Sequence, residues 1–482
     1  MMTKVRRTRP LDLKKISPIS YWTGEPKLLF ANGFEHPDPK IGIPLFGPRS
    51  YGTSRHPQEI HLGFIGPAEA VDRAQEFYAK SSAGVSGSGD HMPFPGFLKD
   101  TGYRSELRFD SSMVEKITRQ EILQLYSIRK RRDRFDAALS LLDSKLGSLV
   151  GKDHPLDYVV VVLSPDLHSK CKVVDFKEKG LGVVHRDLRR AFKARAMKHR
   201  KPTQILLETT TGTLSTTRKL DHPSTIAWNL FNGLYFKCDG LPWSPTGLPS
   251  NSCFVGISFY RSLGQASILR TSVAQAFDEN GEGLVLRGHS FTWNEEEQGK
   301  SPHLSAELAE QLIDLVLGKY QQQRNGQLPQ RVVVHKSSRY EQDELLGFEK
   351  ALRQVSQYDL VALTPVSYAR LIRSGQYPPL RGARFTIGQT SYLYTSGYLY
   401  TRGEYPHGHV PSPLQITDHV GDTPLRQLTD ELMVLSKMNW NSANFSGLMP
   451  ITLRFSMLVG DILKEYPESE EDEPLPQYKY YM

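Results

Sequence analysis

Cysteine is scarce, with three in 482 residues, at Cys171, Cys238 and Cys253. Their wide spacing gives no CxxC metal pair and no disulfide framework, and points to a reducing, cytoplasmic compartment. Long apolar runs are also lacking. The longest pure aliphatic stretch is Val159–Leu163, far short of the ~20 apolar residues that a membrane span needs. Met1–Lys15 is basic but has no apolar core of the kind a secretory signal carries. No internal repeat, Walker-type loop or dinucleotide-binding glycine loop is present. Together these gaps exclude secreted disulfide scaffolds, integral membrane proteins and the common nucleotide-binding motifs.

What is present is a basic, folded composition. Sixty Lys and Arg against 52 Asp and Glu give a net charge of +8, and the length suggests two to four domains. The charge is uneven. Glu465–Met482 holds six acids and one lysine, a net of −5, which leaves +13 on residues 1–464. A basic body of that size suits a polyanionic partner, most often nucleic acid.

The first forty residues read as an irregular basic segment. His61–Gly66 reads as a buried strand leading into a helix at Ala68–Ala79. Ser112–Leu149 reads as helical, and Asp157–Leu163 (DYVVVVL) as a strand buried on both faces. A helix at Arg186–Arg200, a strand at Ile205–Leu207 and a helix at Ser224–Lys237 complete an α/β alternation, the pattern of a largely parallel sheet. The proline-rich Pro242–Pro249 breaks it. The second half restarts with a strand at Cys253–Tyr260 and a strand pair at Ser267–Phe277 and Gly283–Thr292. The pair is joined across Asp278–Gly281, an Asn-Gly hairpin signal. Helix, strand, helix and strand follow at Ser305–Gln322, Arg331–His335, Gln342–Val355 and Tyr358–Leu363. Two helices, Pro424–Lys437 and Ile451–Lys464, end the pattern. That order is the one expected of a ribonuclease H-like domain. Predicted boundaries are an N-terminal segment 1–40, a first domain 41–245, a second 246–464 and an acidic tail 465–482.

The densest cations lie in His185–Gln204. On a continuous helix Arg186, Arg189, Arg190 and Lys193 share one face, and a phosphate is the natural compensating anion. Pro202-Thr203-Gln204 follows, and Lys237 ends the next helix. Arg189-xxx-Lys193, then Thr203 and Gln204, then Lys237 in a Tyr-Phe-Lys-x-x-Gly-x-Pro-Trp frame, resemble the MID domain of Argonaute proteins. Leu28–Gly33, Gly42–Pro48 and Met449–Ser456 agree, so the resemblance runs from Pro26 to the C-terminus. It implies an α/β architecture: a Rossmann-like MID domain followed by a ribonuclease H-like PIWI domain. It also implies that Arg189, Lys193, Thr203, Gln204 and Lys237 bind a guide 5′-phosphate. Gly233 stands where the family often has a second lysine. The resemblance further implies a structural Mg²⁺ at the guide 5′ end, with the C-terminal carboxylate of Met482 as a candidate ligand.

A ribonuclease H-like nuclease needs carboxylates to hold two divalent cations. Here Ser258, Ser337 and Met457 occupy the matching positions, so the PIWI-like domain is expected not to cut. Asp278, Glu279 and Glu282 read as polar turn residues, and His407 and His409 as an exposed loop. Asp418 and His419 lack a nucleophile at useful spacing. Tyr392–Tyr400 reads as a strand whose rings pack or stack bases. The length holds MID and PIWI alone, as in short prokaryotic Argonautes. What that resemblance implies is a subunit that binds guide RNA and senses single-stranded target DNA. It would work with an APAZ-containing effector protein that degrades NAD through a TIR or sirtuin-like domain, or that is a nuclease. A divergent active nuclease and an unguided nucleic-acid-binding protein are the competing classes.

Overall fold

The computed structural model describes residues 19–178, 182–261, 263, 268–276, 283–366, 368–375, 377–399, 410–443, 447–466 and 474–482. The elements that build the first half include strands β1 (Ile19–Trp22), β2 (Leu28–Leu29) and β3 (Glu59–Gly66) and helix α1 (Ala68–Ser82), with a short strand at Glu35–His36 and a helix at Pro39–Phe46 between β2 and β3. Strands β4 (Glu106–Arg108) and β5 (Val114–Lys116) precede helices α2 (Arg119–Ser127) and α3 (Arg131–Val150). Strand β6 (Tyr158–Leu163), a hairpin of β7 (Val173–Glu178) and β8 (Gly182–Asp187), helix α4 (Leu188–Ala196), strand β9 (Thr203–Leu207) and helix α5 (Pro223–Lys237) follow.

A parallel sheet in the order β9-β6-β3-β4, with β5 pairing farther along β3, organises this half. All six residues of β6 are buried. Tyr158, Val160 and Val162 enter one apolar cluster, and Val159, Val161 and Leu163 enter another. A strand covered on both faces needs apolar residues at every position, which accounts for the DYVVVVL run.

The second half carries β10 (Ser244–Pro245), β11 (Ser252–Arg261), β12 (Ile268–Ala276), β13 (Leu284–Thr292), α6 (Ala306–Gln323), β14 (Arg331–Lys336), α7 (Gln342–Leu352) and β15 (Gln357–Pro365). Strands β16 (Ala383–Ile387), β17 (Thr390–Leu393) and β18 (Leu414–Gly421) and helices α8 (Leu425–Leu435) and α9 (Ile451–Leu463) complete it. Nine strands form one sheet, ordered β1-β16-β17-β18-β15-β14-β11-β12-β13. Strands β11, β12 and β13 are antiparallel neighbours, while β14 and β15 run parallel to β11. This is the ribonuclease H-like arrangement expected from the element order.

Helix α9 crosses β11 at Gly256. A Cβ there would stand 2.1 Å from the Thr452 carbonyl oxygen, so the close approach requires glycine. Gly256→Ala is expected to cost about 3 kcal/mol or more, read as a lower urea midpoint.

The two halves are joined by direct hydrogen bonds. Trp440 Nε1 donates to the Trp243 carbonyl at 3.1 Å, Trp243 Nε1 donates to the Lys437 carbonyl at 3.1 Å, and Asn232 Nδ2 donates to the Trp440 carbonyl at 2.6 Å. Phe236 stacks on Trp440 with centroids 4.6 Å apart.

Several expectations need correction. Residues 112–149 are not one helix. A 3-10 turn and β5 come first, and the capping box of Thr118 and Glu121 starts α2. The basic first segment is not wholly irregular, because β1 joins the large sheet. The C-terminal residues are no detached tail either. Glu465 lies buried against Arg186, and Tyr478, Tyr481 and Met482 are buried. Apolar burial of those three outweighs the solubility of the acids preceding them. Among the described residues of the tyrosine-rich stretch only Tyr392 and Leu393 lie in a named strand, and Tyr392 and Tyr394 are buried in a small cluster with Phe385. The positions 278–281, 282, 400, 407 and 409 fall outside the described residues. Among the described residues no helix is long and apolar enough to cross a membrane.

Candidate nucleic-acid interface

The predicted phosphate residues converge from three elements. Helix α4 starts at Asp187, whose side chain accepts from Arg190 N at 3.1 Å. This cap places Arg189 and Lys193 one turn apart on the helix. Lys193 Nζ donates to the Thr203 carbonyl at 2.8 Å. From the end of α5, Lys237 Nζ donates to the same carbonyl at 3.3 Å and to Gln204 Oε1 at 2.8 Å. Thr203 and Gln204 begin β9, so the entry of that strand forms the floor. The Tyr158 ring, on neighbouring β6, lies 5.6 Å from Lys237 Nζ. Sequence reading missed Tyr158, whose place is set by the pairing of β6 with β9.

Burial governs the electrostatics. Lys193 and Lys237 are 2% and 0% exposed. Burial, and then Lys237 and Arg189, push the Lys193 ammonium well below its ordinary range. Burial and Arg189 bring Lys237 down to about 7. Arg189 is lowered chiefly by burial. None of the three makes an ion pair with a carboxylate among the described residues. Arg189 feels Asp187 and Asp461, whereas no carboxylate is among the causes acting on Lys193 or Lys237, so an anion placed beside the two lysines would favour their charged forms.

Arg186 is not part of this face. It belongs to β8, where Asp136 and Glu465 each take it at 2.8 Å. Arg190 pairs with Asp461 at 2.5 Å. The expected row of four unpaired cations is therefore two on α4, with Lys237 as the third. Gly233 is buried, and a Cβ there would meet Asn441 Oδ1 at 3.4 Å. That side of the helix faces Asn441 of the other half of the molecule.

A divalent cation does not fit the residues of this pocket by themselves. The Thr203 carbonyl and Gln204 Oε1 already accept from ammonium groups. Met482 is buried in the apolar cluster at the junction. Among the described residues no group of three or more His, Cys, Asp or Glu is placed to hold a metal.

The second feature is the end of the large sheet where nuclease carboxylates were sought. Ile257 pairs with Lys336, so Ser258 and Ser337 lie one step beyond the last paired position, where β14 ends beside β11. The register thus brings together two of the three substituted positions. Ser258 Oγ is buried with no hydrogen-bond partner among the described residues. The third, Met457, is half-exposed on α9. Nearby ionisable groups are held in structural contacts. His335 Nδ1 meets Thr452 Oγ1 at 2.8 Å, and burial pushes the His335 ring down to about 3. Lys336 pairs with buried Glu344 at 2.5 Å. His419 contacts Asp359 at 2.9 Å, and Asp418 accepts from Tyr340 N at 3.4 Å.

A Rossmann-like unit with a cationic pocket, packed on a ribonuclease H-like unit, defines a MID–PIWI pair. No family model and no curated protein sequence matches the chain. Solved structures do match its fold. Clostridium butyricum Argonaute, bound to a guide DNA and a 19-mer target DNA, aligns with a TM-score of 0.66 at 14% identity, over 97% of this chain and 55% of that one. Drosophila Piwi aligns at 0.58 and 14%, over 96% and 56%. Aa-Ago with externally bound siRNA aligns at 0.56 and 17%, over 96% and 56%. The chain has the Argonaute MID–PIWI fold, and it spans about half the length of the structures it matches.

Proposed function

We propose that the chain binds the 5′-phosphorylated end of a guide strand at Arg189, Lys193, Thr203, Gln204 and Lys237, and uses that guide to detect complementary single-stranded DNA. The observation that carries this reading is the pair of buried lysines on the Thr203 carbonyl, with Arg189 close by, none of which makes an ion pair with a carboxylate among the described residues. Base pairing would supply the sequence information, while the basic surface holds the backbone. The resemblance to short Argonautes favours RNA as the guide.

On this reading the PIWI-like half does not cut. Ser258 and Ser337 offer neutral hydroxyls and Met457 a thioether, and none of them can hold a pair of Mg²⁺ ions against a scissile phosphate. The response then lies with a partner. We assign that role to an APAZ-containing effector, either an NAD-degrading TIR or sirtuin-like protein or a nuclease, switched on by target recognition as defence against plasmids or phages.

The test compares guides with a 5′-phosphate and a 5′-hydroxyl in filter binding to the purified chain. At least a tenfold preference for the phosphate is expected, and equal affinity would sink the pocket assignment. Cleavage of a matched target by the chain alone in Mg²⁺ would overturn the inactive-site reading.

A further inference from the structure

Four buried side-chain polar atoms lack a hydrogen-bond partner among the described residues: Tyr78 OH, Ser258 Oγ, Arg287 Nη2 and Tyr481 OH. Such atoms are uncommon in folded proteins, because each forfeits its hydration. Three of the four gather on one face of the large sheet. Ser258 stands opposite Ser272, and Ser272 stands opposite Arg287, so one register row crosses β11, β12 and β13. Residues directly opposite across antiparallel strands share a face. Tyr260 lies two positions beyond Ser258 on the same face, and Arg287 Nε donates to its hydroxyl at 3.2 Å. Tyr481 sits close enough to Tyr260 and Arg287 to feel both electrostatically.

All three orphan groups can donate, and Arg287 makes no ion pair with a carboxylate among the described residues. This chemistry is opposite to that of a two-metal nuclease site, which needs negative ligands for cations. Here a serine and an arginine share the row. We infer that this row, Ser258 to Arg287 with Tyr260 and Tyr481, is a metal-free seat for one backbone phosphodiester of a bound nucleic acid strand. A guanidinium fork matches phosphate oxygens. The donors are already desolvated, so an incoming phosphate need not strip water from them. Arg287 is itself only partly buried. The seat deepens the guide-and-target reading and depends on it. It also gives the chain a way to hold a strand at the vacated nuclease site without cutting it.

The test places a neutral methylphosphonate at each linkage in turn, first through the guide and then through the target, and measures duplex binding. In the wild-type chain one linkage in one strand is expected to weaken binding about tenfold. Which strand carries it identifies the source of the phosphate. Arg287→Met should bind the unmodified strands about tenfold more weakly, with a salt slope shallower by about 1, and be indifferent to that linkage. Arg287→Lys should fall between. Thermal melting of each variant confirms folding. Wild-type binding by folded Arg287→Met, or a linkage effect that persists in it, overturns the seat. Preference for a 5′-phosphate is measured on the same proteins. If the wild type lacks that preference the guide reading fails, whereas an intact preference with an unmoved Arg287→Met fails the seat alone.

Discussion

Lys237→Met is expected to lower affinity for a 5′-phosphorylated guide by at least a hundredfold while raising the melting temperature of the ligand-free chain. The two effects share one cause. Lys237 is fully buried, and burial with Arg189 nearby lowers its ammonium from 10.5 to about 7. Between those values the unfolded chain binds a proton that the folded chain does not, so stability rises with pH across that window. Below about 7 both states carry the proton and the destabilisation is fully present. Near neutrality the lysine therefore costs stability, and an apolar side chain of similar length relieves it. The lost hydrogen bonds do not reverse the sign. Lys193 still donates to the Thr203 carbonyl, and Gln204 is partly exposed, so water can satisfy its amide oxygen.

A 5′-phosphate reverses this balance. It brings a charge of about −1.5 to −2 and favours protonated lysines. Binding therefore takes up protons above pH 7, and affinity should fall by up to about tenfold per pH unit there for each lysine that must be charged. Below about pH 6 the phosphate loses its second charge. The preference for 5′-phosphate should thus peak between roughly 6 and 7. A flat profile from pH 6 to 9 at fixed ionic strength would contradict the pocket's electrostatics.

Arg331→Ala should destabilise the chain by about 3–5 kcal/mol, the range for removing one partner of a buried ion pair. Arg331 is 4% exposed. Its Nε donates to Asp359 at 2.8 Å, and its Nη1 and Nη2 donate to Glu431 at 2.6 and 3.1 Å. Without it, two carboxylates remain in the interior with His419 and Thr423 as the remaining partners of Asp359. Burial raises the Asp359 carboxyl, but bonds from His419, Thr423 and Arg331 outweigh it and leave it below its ordinary range. A depressed carboxylate contributes stability above its unfolded value, near 4, and loses it as pH falls through the folded value. The gap between wild type and Arg331→Ala should therefore be widest near pH 7 and shrink below pH 4, where protonation spares the variant its uncompensated charges. Urea denaturation at the two pH values measures this. An equal gap at both would show that packing, not charge, sets the cost.

The parts of this molecule legible in the sequence were those with local signatures. The β6 run announced a doubly covered strand, and the order of elements after Ser252 announced the ribonuclease H-like sheet. The pocket residues stood out because a lysine at the end of α5 and a threonine–glutamine pair at the start of β9 make a recognisable frame. The errors also had local signals. Asp187 is an N-cap residue, which ends the helix short of Arg186. Thr118-x-x-Glu121 is a capping box, which divides a span read as one helix. In the C-terminal segment the acid count concealed the aromatic end, Tyr478 to Met482, that packs into the junction. The Arg287 row was not legible at all, since it depends on register across three strands. Its one trace is an arginine on the same face as Val285 in an otherwise apolar alternation.

The tryptophan crossing between the halves has a consequence for how the molecule comes apart. Trp243 and Trp440 lie almost two hundred positions apart, yet each indole donates to backbone of the same small junction, and Asn232 closes the set. The proline-rich border in the sequence is thus not a plane of weakness in space. A single protease nick at the exposed Ser250 and Asn251 would break the polypeptide and leave its two pieces clasped, migrating as one particle in a native gel and separating in denaturant.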